Sequence, residues 1–88
     1  MKFNSWSKKR IELGVKRLTS RKNIDEHIDP RVDYVVGPLP WCFIREFLYR
    51  DEGAICPEEL QRVINRIFRR TVGDWEEFYV HVLKGKEE

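Results

Sequence analysis

The chain has 88 residues, of which 41% are hydrophobic and 36% are charged. This length and composition predict one domain over residues 1–88 with a single core, and leave little room for an accessory domain. The longest apolar run, residues 35–43, is broken by glycine and proline and is too short to cross a bilayer. Charges within the first 14 residues argue against a signal peptide, so we expect a cytoplasmic protein without a membrane partner.

Cysteine and histidine usage argues against a metal site. Cys42 and Cys56 are isolated, and neither His27 nor His81 has a cysteine or carboxylate at zinc-ligand spacing. His81 is better explained as a structural group on a strand. We therefore predict reduced thiols, no metal and no cofactor.

The net charge of +2 hides an uneven distribution. Eight basic residues and one acidic residue in the first 22 positions give +7, which leaves −5 for the rest of the chain. A local positive excess is typical of a surface that binds phosphates, although a charged run also serves simply as a solvated face. The asymmetry supports an anionic ligand without identifying it.

The first elements can be predicted in chain order. Ser5 or Ser7 is a candidate N-cap of a short helix that Gly14 ends, with Trp6 and Ile11 as its apolar contacts. Residues 17–22 predict a first strand. Residues 23–31 are polar and contain Asp29-Pro30, which predicts an exposed, mobile loop.

The middle of the chain suggests two strands around a turn. Residues 32–36 are rich in valine and predict a strand, and the Gly-Pro-Leu-Pro segment at 37–40 predicts a break. Residues 41–50 predict a further strand with protein on both faces. We assign Trp41 to the core.

The clearest element is a helix over residues 57–70. Its apolar residues follow the i, i+3, i+4, i+7, i+8 pattern of one buried stripe, namely Leu60, Val63, Ile64, Ile67 and Phe68. Residues 78–83 alternate as a last strand, in which Phe78 belongs to the core. The order of elements predicts an α+β domain in which a mainly antiparallel sheet curls around one core and the last strand closes it.

The segment most informative about function is residues 14–21. Lys16 falls at the corner between the first helix and the first strand, and strand alternation puts it on the face of Leu18, opposite Thr19 and Arg21. From spacing alone, the segment is better explained as a solvated basic corner with Leu18 as its core contact. A site for an anion is the alternative.

Three motifs resemble those of a known family. They are Gly14-x-Lys16-x-x-Thr19-x-Arg21, then Glu52-Gly53-Ala54 followed by Glu58-Glu59-Leu60, and finally Phe78-Tyr79-Val80. Together they resemble the ASCH family, a branch of the PUA-like barrels found around RNA metabolism. The chain departs from the family at the entry to the second strand, where Asp29-Pro30 replaces the usual Gly-Asp pair.

The resemblance implies a small curled PUA-like β-barrel with an N-terminal helix and a second helix packed against it. Some small members resemble amidohydrolases of acetylated cytidine that use lysine, threonine and glutamate, which correspond here to Lys16, Thr19 and Glu52. A threonine hydroxyl needs a base to act as a nucleophile, and a carboxyl group can serve the leaving amine. A structural ion pair between Lys16 and Glu52 is the alternative.

Other members resemble binding modules whose basic cleft takes RNA or a nucleotide without chemistry. Arg17, Arg21 and Lys22 are the candidate ligand-binding residues in that case. We expect RNA or nucleotide binding as the function, with amidohydrolysis as the alternative and an interaction module for an acidic protein as the second alternative. The oligomeric state is not predicted.

Overall fold

The structure is a computed structural model and describes residues 3–24 and 30–84. These residues contain three helices and three strands. Most of the loop predicted at residues 23–31 lies outside these ranges. The elements follow the order α1 (Ser5–Glu12), β1 (Leu18–Arg21), β2 (Val32–Pro40), α2 (Trp41–Phe47), α3 (Pro57–Phe68) and β3 (Glu77–Leu83). None of these helices is long and apolar enough to span a membrane.

The strands form one antiparallel sheet in the order β1-β3-β2. The last strand is therefore central: Val82 pairs with Leu18 of β1 on one side and with Tyr34 of β2 on the other. Within the described residues β1 and β2 pair only with β3, so the sheet is open. The α+β class and the antiparallel arrangement are confirmed, whereas a closed barrel is not shown.

The strand predicted over residues 41–50 is wrong, because this segment forms helix α2. The first amide groups of α2 are satisfied from far along the chain, where Trp41 N donates to Glu76 O and Cys42 N donates to Asp74 O. Trp41 and Ile44, three residues apart, point into the core. A seven-residue helix shows too few turns for its period to stand out from a strand pattern.

The break predicted at residues 37–40 is also wrong, because β2 continues to Pro40. The strand absorbs its glycine and prolines through a shift of register between Val36 and Leu39. Gly37 has a φ of +134°, and a Cβ atom there would lie 3.0 Å from Phe78 O. Glycine is needed at this irregularity because the backbones of β2 and β3 approach too closely for a side chain.

The N-cap of the first helix is neither of the predicted candidates, Ser5 and Ser7. Asn4 is the N-cap, and its Oδ1 accepts a hydrogen bond of 2.8 Å from Ser7 N. Gly14, with a φ of +76°, lies just beyond the helix end, as predicted.

The predicted helix over residues 57–70 is confirmed as α3, which ends slightly earlier at Phe68 because Arg69 adopts the left-handed conformation. Leu60 and Ile64 are buried as expected, but Ile67 is 49% exposed, so the predicted burial of the whole stripe is wrong. The core assignment of Trp41 and Phe78 is confirmed. Both are fully buried, and their ring centroids lie 5.5 Å apart.

Ile64 and Ile67 offer a matched test of this core. Ile64→Ala leaves a cavity under α3 and should lower the free energy of unfolding by roughly 2–5 kcal/mol. Ile67→Ala should cost clearly less, because half of that side chain is already in water. Urea unfolding of both variants measures the difference. Equal losses would contradict the placement of the core.

Candidate nucleotide-binding cleft

A buried ion pair joins Lys16, just before β1, to Glu52, in the turn between α2 and α3. Lys16 Nζ lies 3.0 Å from Glu52 Oε1 and donates a second hydrogen bond, also of 3.0 Å, to the main-chain oxygen of Glu52. The side chains are only 4% and 3% exposed. Charges so far from water persist only when they are paired and hydrogen-bonded, and this pair meets both conditions.

The backbone around the ion pair explains how two residues 36 positions apart meet. After α1 the chain reverses, so that Lys16 N donates to Arg10 O, and the next two amides donate to Asp51 O. Gly53 has a φ of +98°, and a Cβ atom there would lie 3.1 Å from Arg10 Cδ and 3.2 Å from Lys16 Cβ. The turn carrying Glu52 can press against α1 only because residue 53 is glycine.

Ser20 completes the network. Its Oγ donates a hydrogen bond of 2.9 Å to Glu52 Oε2, so both carboxylate oxygens of Glu52 are held, each by a different side chain. Sequence reasoning did not select Ser20. The signal was present, because strand alternation puts Lys16, Leu18 and Ser20 on one face of β1.

Thr19, unlike Ser20, is not hydrogen-bonded to the ion pair. It lines the same cleft, but its hydroxyl makes no hydrogen bond to Lys16 or to Glu52. Its cross-strand partner is His81, which is fully buried, and opposed residues of an antiparallel pair share one face of the sheet. The hydroxyl connected to the ion pair is therefore that of Ser20.

The ion pair forms the floor of a cleft of about 140 Å³ between α1, β1 and α3. Its walls are largely apolar and aromatic, with contributions from Phe3, Trp6, Leu60, Ile64, Ile67 and Phe68. The Trp6 ring lies 5.8 Å from Lys16 Nζ, and Arg10 Cζ lies 4.0 Å from the same ring. Polar and charged side chains line the rest of the cleft, and a recess that combines apolar walls with convergent polar groups is typical of small-molecule sites.

Two of the predicted ligand-binding cations line this cleft. Arg21 stacks near Phe3, with 5.2 Å between its Cζ and the ring centroid. Lys22 Nζ lies 3.2 Å from Glu76 Oε1 and 4.3 Å from the Phe78 ring centroid. Hydrogen bonds from Arg70 and from the amide of Gly73, together with Lys22, hold the pKa of Glu76 well below its usual range. Lys22 therefore meets an ionised carboxylate at neutral pH.

Arg17, the third predicted ligand-binding cation, is not in the cleft. It is exposed and lines a separate, larger groove at the end of the sheet. The interpretation of residues 14–21 as a solvated corner is also wrong, because Lys16, Leu18, Thr19 and Ser20 are all buried. Among residues 3–24 and 30–84, no group of three or more histidine, cysteine or acidic residues is placed to hold a metal ion.

Removing one partner of the ion pair should destabilise the fold strongly. Lys16→Met leaves Glu52 buried without its cation, and Glu52→Gln does the converse, so each should cost about 3–5 kcal/mol. The double variant should lose less than the two single losses added together, because it leaves no uncompensated charge. Urea unfolding of the three variants measures this coupling. Additive losses would show that the two side chains do not interact.

Comparisons with known proteins give no relative from which a role can be transferred. No family model matches the chain, and neither a curated protein nor a solved structure matches it significantly. The candidate function therefore rests on the geometry of the cleft.

Proposed function

We propose that this domain binds RNA or a nucleotide and takes one base into the cleft between α1, β1 and α3. The observation that carries the proposal is a ring-sized recess that combines aromatic and aliphatic surface with a buried ion pair. A dry cavity of about 150 Å³ accommodates a benzene-sized ring, and the cleft has about 140 Å³. That space suits a single base better than several stacked bases.

The walls and floor complement different parts of a base. Aromatic and aliphatic side chains such as Trp6 and Ile67 offer surfaces for its flat faces. An ammonium group has three N–H donors, and Lys16 gives two of them to Glu52, which leaves one for an acceptor on the base edge. Arg21, also a lining residue, supplies positive charge for a phosphate.

Amidohydrolysis of an acetylated cytidine is the second candidate, because Lys16, Thr19 and Glu52 all line one cleft. In that reaction water adds to the acyl carbon, the carbon–nitrogen bond breaks, and the amine leaves with a proton. Two features favour binding over this chemistry. First, Lys16 donates a hydrogen bond in both of its contacts with Glu52, whereas a general base must accept a proton. Second, the hydroxyl of Thr19, which would be the nucleophile, makes no hydrogen bond to Lys16 or to Glu52.

A variant that fills the cleft tests the proposal without touching the ion pair. Ile67→Trp places a large ring in the recess from a half-exposed position on α3. It should weaken binding of cytidine monophosphate by about 10-fold or more, since stacking on a base contributes about 1–3 kcal/mol. Isothermal titration calorimetry measures the affinity. The control is Ile55→Trp, at a residue that is 82% exposed and does not line the cleft.

Acetylcytidine separates the two candidate functions. Binding without release of acetate supports the binding role, whereas release that Ile67→Trp abolishes assigns hydrolysis to the cleft. If the wild-type protein binds no nucleoside or nucleotide, or if both tryptophan variants bind like the wild type, the cleft is not a base-binding site.

A further inference from the structure

Three basic residues meet at one end of the sheet, outside the cleft. Arg17 directly precedes β1, Arg31 directly precedes β2, and Lys84 directly follows β3. Because β3 is antiparallel to both neighbours and lies between them, these positions fall at the same end in the order Arg17, Lys84, Arg31. Main-chain hydrogen bonds fix this arrangement: Leu83 N donates to Arg17 O at 2.8 Å, and Lys84 N donates to Arg31 O at 2.7 Å.

These residues surround a groove of about 760 Å³. Four of the described residues that line it are basic and none is acidic, and the rest are apolar or glycine. Arg17, Arg31 and Lys84 are exposed. Neighbouring strands lie about 4.8 Å apart, so the outer two backbones of the row are separated by roughly 10 Å. A row of cations over that width suits an extended chain of negative charges.

The groove and the cleft share a border. Lys16 lines both: its ammonium lies in the floor of the cleft, while the residue also forms part of the groove wall. Phe3 connects them on another side, because its ring centroid lies 5.2 Å from Arg21 Cζ at the cleft and 4.8 Å from Arg31 Cζ at the groove. One ligand of several linked units can therefore reach both hollows.

We propose that the groove binds the phosphate backbone of a single-stranded RNA whose base occupies the cleft. The inference rests on the proposed function and extends it, since it identifies the ligand as a polynucleotide and not as a free nucleotide. Contacts to phosphates add affinity without reading sequence. The cleft then holds one base while the groove holds the flanking backbone.

The test removes two charges from the groove and compares the result with the removal of two charges elsewhere. The groove variant is Arg17→Ala with Lys84→Ala. The control is Arg62→Ala with Arg66→Ala, which has the same net charge change at two exposed positions of α3 that do not line either hollow. Fluorescence anisotropy of a labelled eight-nucleotide oligouridylate, between 25 and about 200 mM salt, gives the salt dependence for each protein.

Each phosphate contact on a single strand contributes about 0.7 to the slope of log affinity against log salt concentration. The groove variant should therefore lose up to about 1.4 from this slope, whereas the control should keep the wild-type slope. Affinity for cytidine should be unchanged in both variants. Equal slopes in the groove variant and the control would overturn the inference.

Further measurements separate a failure of the groove from a failure of the cleft. If cytidine does not bind but the groove variant still loses slope, the proposed base site is wrong and the phosphate groove stands. Two results together would show that the groove is a site for free anions. Inorganic phosphate would compete with the oligonucleotide at millimolar concentration, and affinity would not increase with the length of the oligonucleotide. Competition by polyglutamate as effective as that by the oligonucleotide would point to an acidic protein segment and overturn the RNA assignment.

Discussion

The arrangement of this domain depends on one buried ion pair, Lys16 with Glu52. It ties the segment between α1 and β1 to the turn that precedes α3, and main-chain hydrogen bonds from residues 17 and 18 to Asp51 O reinforce the same junction. A well-packed apolar pair often stabilises a fold as well as a buried ion pair does, whereas a single unpaired charge is strongly unfavourable. The pair is thus poorly explained as a device for stability alone. Its position at the floor of a cleft supplies a reason for fixed charge at that point.

The core and the cleft share residues, which couples folding to binding. Leu60 and Ile64 are buried in the core cluster and also line the cleft, while Ile67 on the next turn of α3 faces the opening. A domain of this size buries a small fraction of its surface compared with larger proteins, so it has few side chains to assign to one purpose. A substitution on the inner face of α3 therefore alters both the core and the recess. On α3, the half-exposed Ile67 allows the recess to be changed with limited effect on the core.

Local sequence patterns predicted those secondary-structure elements that depend on interactions within a short segment. The apolar stripe of α3 and the alternation of β3 are properties of short segments, and from them a helix and a strand were predicted correctly in type and approximate place. Helix α2 was missed because its first amides are satisfied by carbonyl groups of Asp74 and Glu76, more than thirty residues away. Ser20 was missed although strand alternation puts it on the same face as Leu18, because a serine on a strand looks like any small polar residue until the carboxylate opposite it is known. The partial exposure of Ile67 could not be predicted either, because an apolar stripe on a helix has the same sequence pattern whether its residues fill a core or line an open recess.

The charge asymmetry of the sequence was informative about sign but not about location. Within the basic first 22 residues, Lys16 is paired with Glu52, and Lys22 is paired with Glu76. Arg10 lies over Trp6 and donates to Gly53 O, so its charge is directed inward as well. The electrostatic potential at a protein surface depends on charges that have no opposite charge close by. Salt at 0.1 M screens this potential over a distance of about 10 Å. The charge that a ligand meets is therefore set by tertiary pairing. Lys16 and Lys22 are compensated by carboxylates at the cleft, whereas Arg17 is exposed on the groove side of β1 and has no ion-pair partner among the described residues.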